Sequence, residues 1–225
     1  MNGYKLHVLS GDYTLNNNKI LYKNAYIYWR EVWKAEWQEM GVKKDLNSDH
    51  FTRQDYIFVI TKQDEIAGLL FLKKYATLNP LLFEDSVFSY SVPSKFKKAM
   101  KSKGADIHIT SSLTIRKKFR KNLIAFYLTA CLVKCIQEQQ DIHHIFATAR
   151  IKERIDDLAN FFNAKQMGEP INVDFGQPQS ELSALVVFDK NCYIPTKIIK
   201  SFSNIWAEKN EISYSTSFRN SSISI

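Results

Sequence analysis

Residues 106–139, DIHITSSLTIRKKFRKNLIAFYLTACLVKCIQEQ, run from Asp106 to Gln139 and hold two periodicities joined by a basic turn. Ile107, Ile109, Ser111, Leu113 and Ile115 alternate with His108, Thr110, Ser112 and Thr114, and the β-branched content favours a pleated strand. From Leu123 the step changes: Leu123, Phe126, Tyr127, Ala130, Cys131, Val133 and Ile136 recur at spacings of three and four, which predicts a helix with one broad apolar face. Arg116, Lys117, Lys118, Arg120 and Lys121 crowd the turn between them. A strand that feeds directly into a helix leaves backbone N–H groups unpaired at the positive end of the helix dipole. With cationic side chains beside them, those groups form a site for phosphate or pyrophosphate.

Outward from this unit the chain alternates strands and helices. Upstream, Tyr4 to Leu9 reads as an edge strand or ordered arm, and a helix is predicted from about Lys19, with Leu21, Ala25, Tyr28, Val32, Ala35 and Met40 on its broad face and Gly41 as its stop. Val42 to Arg53 is polar, a loop or short helix. Tyr56–Ile60 and Ile66–Leu72 flank Lys62-Gln63-Asp64-Glu65 as a β-hairpin, and their nearly continuous apolar content predicts a sheet covered on both faces. Val87, Phe88 and Tyr90 suggest a short strand after an irregular stretch that includes Leu78–Phe83, and Pro93 opens a basic helix that runs to Lys103 and stops at Gly104. Downstream, a strand over 142–149, a helix over 151–163 with Gly168 beyond it, a strand over Glu181–Phe188 and a terminal helix after Pro195 complete the pattern. The expected fold class is α/β (α+β), with a mixed central sheet flanked by helices on both faces. One domain is expected over residues 1–212, followed by a loose Ser-rich tail over 213–225.

The strand, turn and helix of residues 106–139 resemble motif A of the GNAT (N-acetyltransferase) superfamily. In that family an Arg/Gln-x-x-Gly-x-Gly/Ala turn holds the pyrophosphate of coenzyme A or of an acyl-carrier phosphopantetheine arm. The pattern falls on Arg120-Lys121-Asn122-Leu123-Ile124-Ala125, where Arg120 and Ala125 match and Leu123 replaces a Gly. Farther on, ANFFNAKQMG resembles the family's later motif, with Asn160 in place and Phe161 and Phe162 where many members carry a Tyr that protonates the departing thiolate. The resemblance covers most of residues 20–190. It implies donor contacts from Leu113, Ile115, Arg120, Lys121, Asn122, Leu123, Ile124, Ala125 and Asn160, and a thioester carbonyl polarised by a backbone N–H between Leu113 and Ile115. For removing the amine's proton it directs attention to His108, Ser111 and Ser112, His108 acting as a base directly or through water. The aromatic first helix, with Glu31-Val32-Trp33, Glu36 and Gly41, also resembles the branch holding acyl-homoserine-lactone synthases and long-chain N-acyl amino acid synthases. Of the lactone-synthase motif Glu-x-Ser-Arg, placed on Ile109–Ser112, only Ser111 agrees.

Composition bounds the remaining readings. A hydrophobic fraction of 45% in 225 residues suffices for a sizeable core, and the net charge of +8 favours an acidic ligand or partner. Cys131, Cys135 and Cys192 do not form a disulfide framework, and Cys131 and Cys135, four apart on the predicted helix, read as packing. No apolar run approaches the ~20 residues of a membrane span, and MNGYKLHVLSGDYT lacks a signal-peptide core; a cytoplasmic protein is expected. Tyr26, Tyr28, Trp29, Trp33 and Trp37 form an aromatic stripe read as sheet-covering core, with an acyl or acceptor pocket as the alternative.

The resemblance implies an N-acyltransferase that takes its acyl group from acetyl-CoA, a longer acyl-CoA or the phosphopantetheine of an acidic acyl-carrier protein, passes it to an amine, and needs no metal. Two alternatives stand beside it. One is a nucleic-acid-binding module using Lys95–Lys103 and Arg116–Lys121, although the chain carries no recognised RNA or DNA motif. The other is a non-catalytic GNAT-like binding protein.

Overall fold

The computed structural model of the chain describes residues 3–42, 45–76, 98, 106–173 and 180–210. In chain order these form β1 (Tyr4–Leu9), α1 (Lys19–Glu39), α2 (Asp49–Thr52), β2 (Tyr56–Lys62), β3 (Glu65–Tyr75), β4 (Ile107–Ile115), α3 (Ile124–Glu138), β5 (Ile145–Arg150), α4 (Ile155–Phe161), β6 (Lys165–Gln166), β7 (Ile171–Val173), β8 (Glu181–Phe188) and α5 (Thr196–Ala207). The stretch Leu78–Phe83, the strand through Val87, Phe88 and Tyr90, the basic helix Pro93–Lys103 apart from Lys98, its stop at Gly104 and the tail over 213–225 lie outside the described residues.

The strands form one mixed sheet in the order β1-β2-β3-β4-β5-β8-β6, with β7 also paired to β8. Neighbours run antiparallel except β4 and β5, which are parallel. The uninterrupted apolar runs of β2 and β3 are explained by a helix layer on each side. Phe58, Ile60, Leu70 and Leu72 face Leu128, Cys131 and Leu132 of α3 and Phe202 and Trp206 of α5. Ile57, Val59, Leu69 and Phe71 face Tyr22, Ala25, Tyr28 and Trp29 of α1 and Phe51 of α2. Alternation along each strand sends successive residues to opposite layers, so both faces must be apolar.

Local chemistry sets the ends of these elements. Asn18 caps α1 by accepting the Leu21 N–H at 2.9 Å. Gly41, at φ 72°, ends it in a left-handed turn, with Gly41 N–H bonded to Gln38 O and Val42 N–H to Trp37 O. The β2–β3 turn consists of Gln63 and Asp64, both at positive φ, which matches the twist of a tight hairpin.

Several elements depart from the sequence expectation. α1 buries Tyr22, Ala25, Tyr28 and Trp29, but beyond Val32 it buries nothing completely and Ala35 is exposed; its second half meets the sheet through polar contacts, Trp33 to Thr114 and Glu36 to Arg150. β5 starts at Ile145, so His143 and His144 precede the strand and do not alternate across it. The helix expected over 151–163 shrinks to α4, because Arg154 takes a left-handed conformation immediately before it.

Gly68 on β3 marks where α3 comes down on the sheet. A Cβ there would lie 2.7 Å from Ile124 Cγ2 and 3.1 Å from the Thr114 carbonyl. Gly68→Ala is therefore expected to push the start of α3 off the sheet and cost about 1–3 kcal/mol, read by urea denaturation.

Candidate active site

β4 and β5 pair only at His108–Ile145 and Ile109–Phe146. Beyond Ile109 they diverge, while β5 stays paired to β8 as far as Arg150. A bulge accompanies the divergence: Ser111 opposes Phe71 and Thr114 opposes Leu69, so Ser112 and Leu113 together oppose Leu70. Ser112 sits at φ 55°, a left-handed conformation that a non-glycine residue adopts only when its surroundings hold it there. The Thr114 hydroxyl donates to the Ser112 carbonyl at 2.7 Å and accepts the Trp33 indole N–H at 2.9 Å, which ties the bulge to α1. Past the bulge, Tyr28 donates its hydroxyl to Ala67 O at 2.9 Å and accepts the Arg116 N–H at 2.9 Å. Burial pushes that phenol up to about 12, so it remains a neutral clamp between β3 and the end of β4.

The divergence opens a cleft of about 80 Å³ lined by Thr110, Ser111, Ser112 and Leu113 on β4 and Ala147, Thr148 and Ala149 on β5, with α3, α4 and β8 behind them. On this edge of β4 the backbone groups that would continue the β5 ladder have no strand partner among the described residues. Such groups are available to a ligand that lies along the strand.

The basic turn begins three residues beyond Leu113, the last residue of β4 that lines this cleft, and leads into α3. Leu123 caps α3 without any side-chain hydrogen bond, so among the described residues the first helical turn lacks the N-cap acceptor that would engage its N–H groups. Ile124 is fully buried beneath them and Leu123 is 42% exposed. The cations are less free than their sequence suggests. Arg116 pairs with Glu31 at 2.9 Å and Glu65 at 3.6 Å, Lys117 with Glu39 at 2.8 Å, and Lys118 with Glu65. Arg120 donates from Nε to Ile115 O at 3.2 Å and lies 3.6 Å from Glu36. Lys121 is exposed and outside these ion pairs. α1 thus offers a row of carboxylates to the turn, a pairing across more than seventy residues that helical spacing within α1 alone does not reveal.

The sequence-derived site residues separate into groups. Ser111, Ser112 and Leu113 line the cleft; Ile115 and Arg120 to Ala125 lie outside its lining, at the end of β4 and the start of α3. Asn160 is exposed on α4, and Phe161 and Phe162 pack against Phe126, Phe162 fully buried. His108 does not join them. It is 1% exposed, sits where β4 and β5 are still paired, and does not line the cleft. Burial holds its pKa down at about 4, so the ring is neutral near pH 7 and a poor proton acceptor. Sequence reasoning missed Thr110, Ala147, Thr148 and Ala149 as cleft walls; the alternating small residues of Phe146-Ala147-Thr148-Ala149 were the available signal.

No family model and no curated protein sequence matches the chain. Solved structures do. FeeM, an N-acyl amino acid synthase from uncultured soil microbes, is 10% identical, with 83% of this chain and 90% of that one covered at a TM-score of 0.54. BjaI, a CoA-dependent acyl-homoserine lactone synthase seen with SAM and isopentyl-CoA, is 13% identical, with 93% of both chains covered at 0.56. Drosophila melanogaster polyamine N-acetyltransferase is 8% identical, with 82% of this chain and 100% of that one covered at 0.58. The chain therefore has the fold of the GNAT (N-acetyltransferase) superfamily.

Proposed function

We propose that this chain is an N-acyltransferase that moves an acyl group from a coenzyme A thioester to an amine. The observation that carries the reading is the succession of three features along the chain: strands that diverge after Ile109, a bulge at Ser112–Leu113 on β4, and, directly after β4, a basic turn into an α3 N-terminus without a side-chain cap. A pyrophosphate would take the free N–H groups of α3 and the Lys121 ammonium. The pantetheine arm would lie along the open edge of β4, placing the thioester carbonyl at its backbone N–H groups. The amine nitrogen attacks that carbonyl, the C–N bond forms, the C–S bond breaks, and the nitrogen gives up a proton while the thiolate gains one. Phe161 and Phe162 have no proton to donate, so the thiolate's proton comes from water or from the attacking amine. Ser111 and Ser112 line the cleft and would hold such a water. The ion pairs that engage most of the turn's cations reduce the field a nucleic acid would feel, which weighs against that alternative.

Free coenzyme A at about a hundred times its dissociation constant is expected to raise the melting temperature by about 5–10 °C. Lys121→Ala is expected to weaken binding about tenfold, and Arg120→Ala by less, since Arg120 must first leave Glu36. Absence of any shift with free or acylated coenzyme A, followed by a shift with an acylated carrier protein, would move the donor to the carrier. Absence of both would remove the acyltransferase reading.

A further inference from the structure

Four of the five cations in the turn between β4 and α3 already face a carboxylate, and each carboxylate comes from another element. Glu31 and Glu39 of α1 hold Arg116 and Lys117 at 2.9 and 2.8 Å, and Glu36 of α1 stands 3.6 Å from Arg120. Glu65, at the start of β3, holds Lys118 and lies 3.6 Å from Arg116. These cations are the groups a phosphate would draw on. The pairs are open to water: the side chains of Lys117 and Glu39 are 73% and 61% exposed, those of Lys118 and Glu65 57% and 41%. An incoming anion therefore reaches them, and an exposed pair of this kind holds its cation by no more than about fivefold in an equilibrium constant.

The carboxylates at the end of α1 have no cause within their own helix. Glu36 and Glu39 lie in its last turn, which carries no basic residue, and there the negative end of the helix dipole disfavours them. What offsets that cost is the cation across from each, Arg120 and Lys117. Resting on the anion-binding part of the reading above, we propose that Glu31, Glu36, Glu39 and Glu65 are a built-in competitor for the ligand of the turn, an autoinhibitory set of counter-ions. A single phosphate meets several occupied cations at once, whereas a pyrophosphate brings two adjoining anionic groups against them, so the set screens out small anions. Glu36 keeps Arg150 when Arg120 leaves it. Glu39 has no second cation among the described ion pairs, which makes it the position where competition is read most directly.

Calorimetric titration of the full chain with coenzyme A and with inorganic pyrophosphate tests the proposal. Glu39→Gln combined with Glu65→Gln is expected to bind both ligands about tenfold more tightly than the parent. Glu39→Gln alone, at about threefold, serves should the double variant not fold. Glu208→Gln, the same change of charge at the end of α5, is expected to stay within about twofold. In a Lys117→Ala background Glu39→Gln should gain nothing, because the pair it would release no longer exists. Unchanged affinity in the Glu39 and Glu65 variants would overturn the proposal, and so would an equal gain in Glu208→Gln or a gain that survives Lys117→Ala. Tighter pyrophosphate binding by the variants, with no binding of coenzyme A to any of them, would uphold the competitor and overturn the donor reading. Failure of both ligands to bind would overturn the two together.

Discussion

Replacement of Arg150 by Ala is expected to destabilise the protein by about 2–4 kcal/mol, measured by urea denaturation at neutral pH. Arg150 ends β5 with its side chain 16% exposed, among three carboxylates from three different elements. Its Nη2 donates to Glu181 Oε1 at 2.7 Å and its Nε bonds the other Glu181 oxygen; Nη1 donates to Glu36 on α1 at 3.2 Å; Glu153 lies 3.2 Å from Nε. Glu36 is 19% exposed and Glu181 16%, so neither is fully screened by water once the guanidinium is gone. Removing one member of a largely buried pair leaves charge without compensation, which costs more than the pair contributes, and residual exposure keeps the figure below that of a fully buried site. Arg150→Lys should retain part of the stability, since the charge remains but the fork that grips Glu181 is lost. Adding Glu181→Gln to Arg150→Ala should restore part of the loss; strict additivity of the two substitutions would contradict the account.

The second large effect is a pH dependence that originates in His108. Burial, the largest cause, holds this imidazole at about 4 against an ordinary 6.5; Lys74 and His143 push the same way, and Asp141 and Asp106 oppose them. Its Nδ1 is buried without a hydrogen-bond partner among the described residues. The folded state therefore resists a proton that the unfolded chain accepts from about pH 6.5 downward. His108 stability is fully present above the unfolded value, falls as the pH drops from about 6.5 towards 4, and levels off below. At roughly 1.4 kcal/mol per pH unit the fall amounts to about 3 kcal/mol. His108→Leu removes both the titration and the orphaned nitrogen, so the variant should match or exceed the parent at pH 7 and lack this share of the acid slope. An unaltered difference in stability between pH 7 and pH 4.5 in His108→Leu would contradict the assignment.

His108 also shows how far a sequence pattern reaches. On an alternating strand beside two serines it looks like a candidate base, because imidazole titrates near neutrality in water. Its exposure depends on whether β5 lies alongside, and β5 does so at His108 and leaves two residues later. Ser111 and Ser112 both line the cleft, though alternation would have placed them on opposite faces. The left-handed turn at Ser112 breaks the alternation and brings both to one opening. The bond that holds that turn comes from Thr114, two residues away, and Thr114 is itself held by Trp33, eighty-one residues before it. Local periodicity carries no information about the second.

The sequence alone determined the elements whose cause is local. The change of period between Ile115 and Leu123, the hairpin of β2 and β3, the strand Glu181–Phe188, the start of α1 near Lys19 and the two-sided cover of the sheet all follow from where apolar side chains recur. The uncapped helix start after a basic turn was legible for the same reason. Tertiary structure alone decided where β4 and β5 part, which cations of the turn are engaged by Glu31, Glu36, Glu39 and Glu65, that Arg150 gathers three carboxylates, and that Leu132, Val186 and Phe188 line the cleft. Each of these depends on which distant residue becomes a neighbour. Neighbours fix burial, and burial fixes the worth of a charge and the proton affinity of a ring.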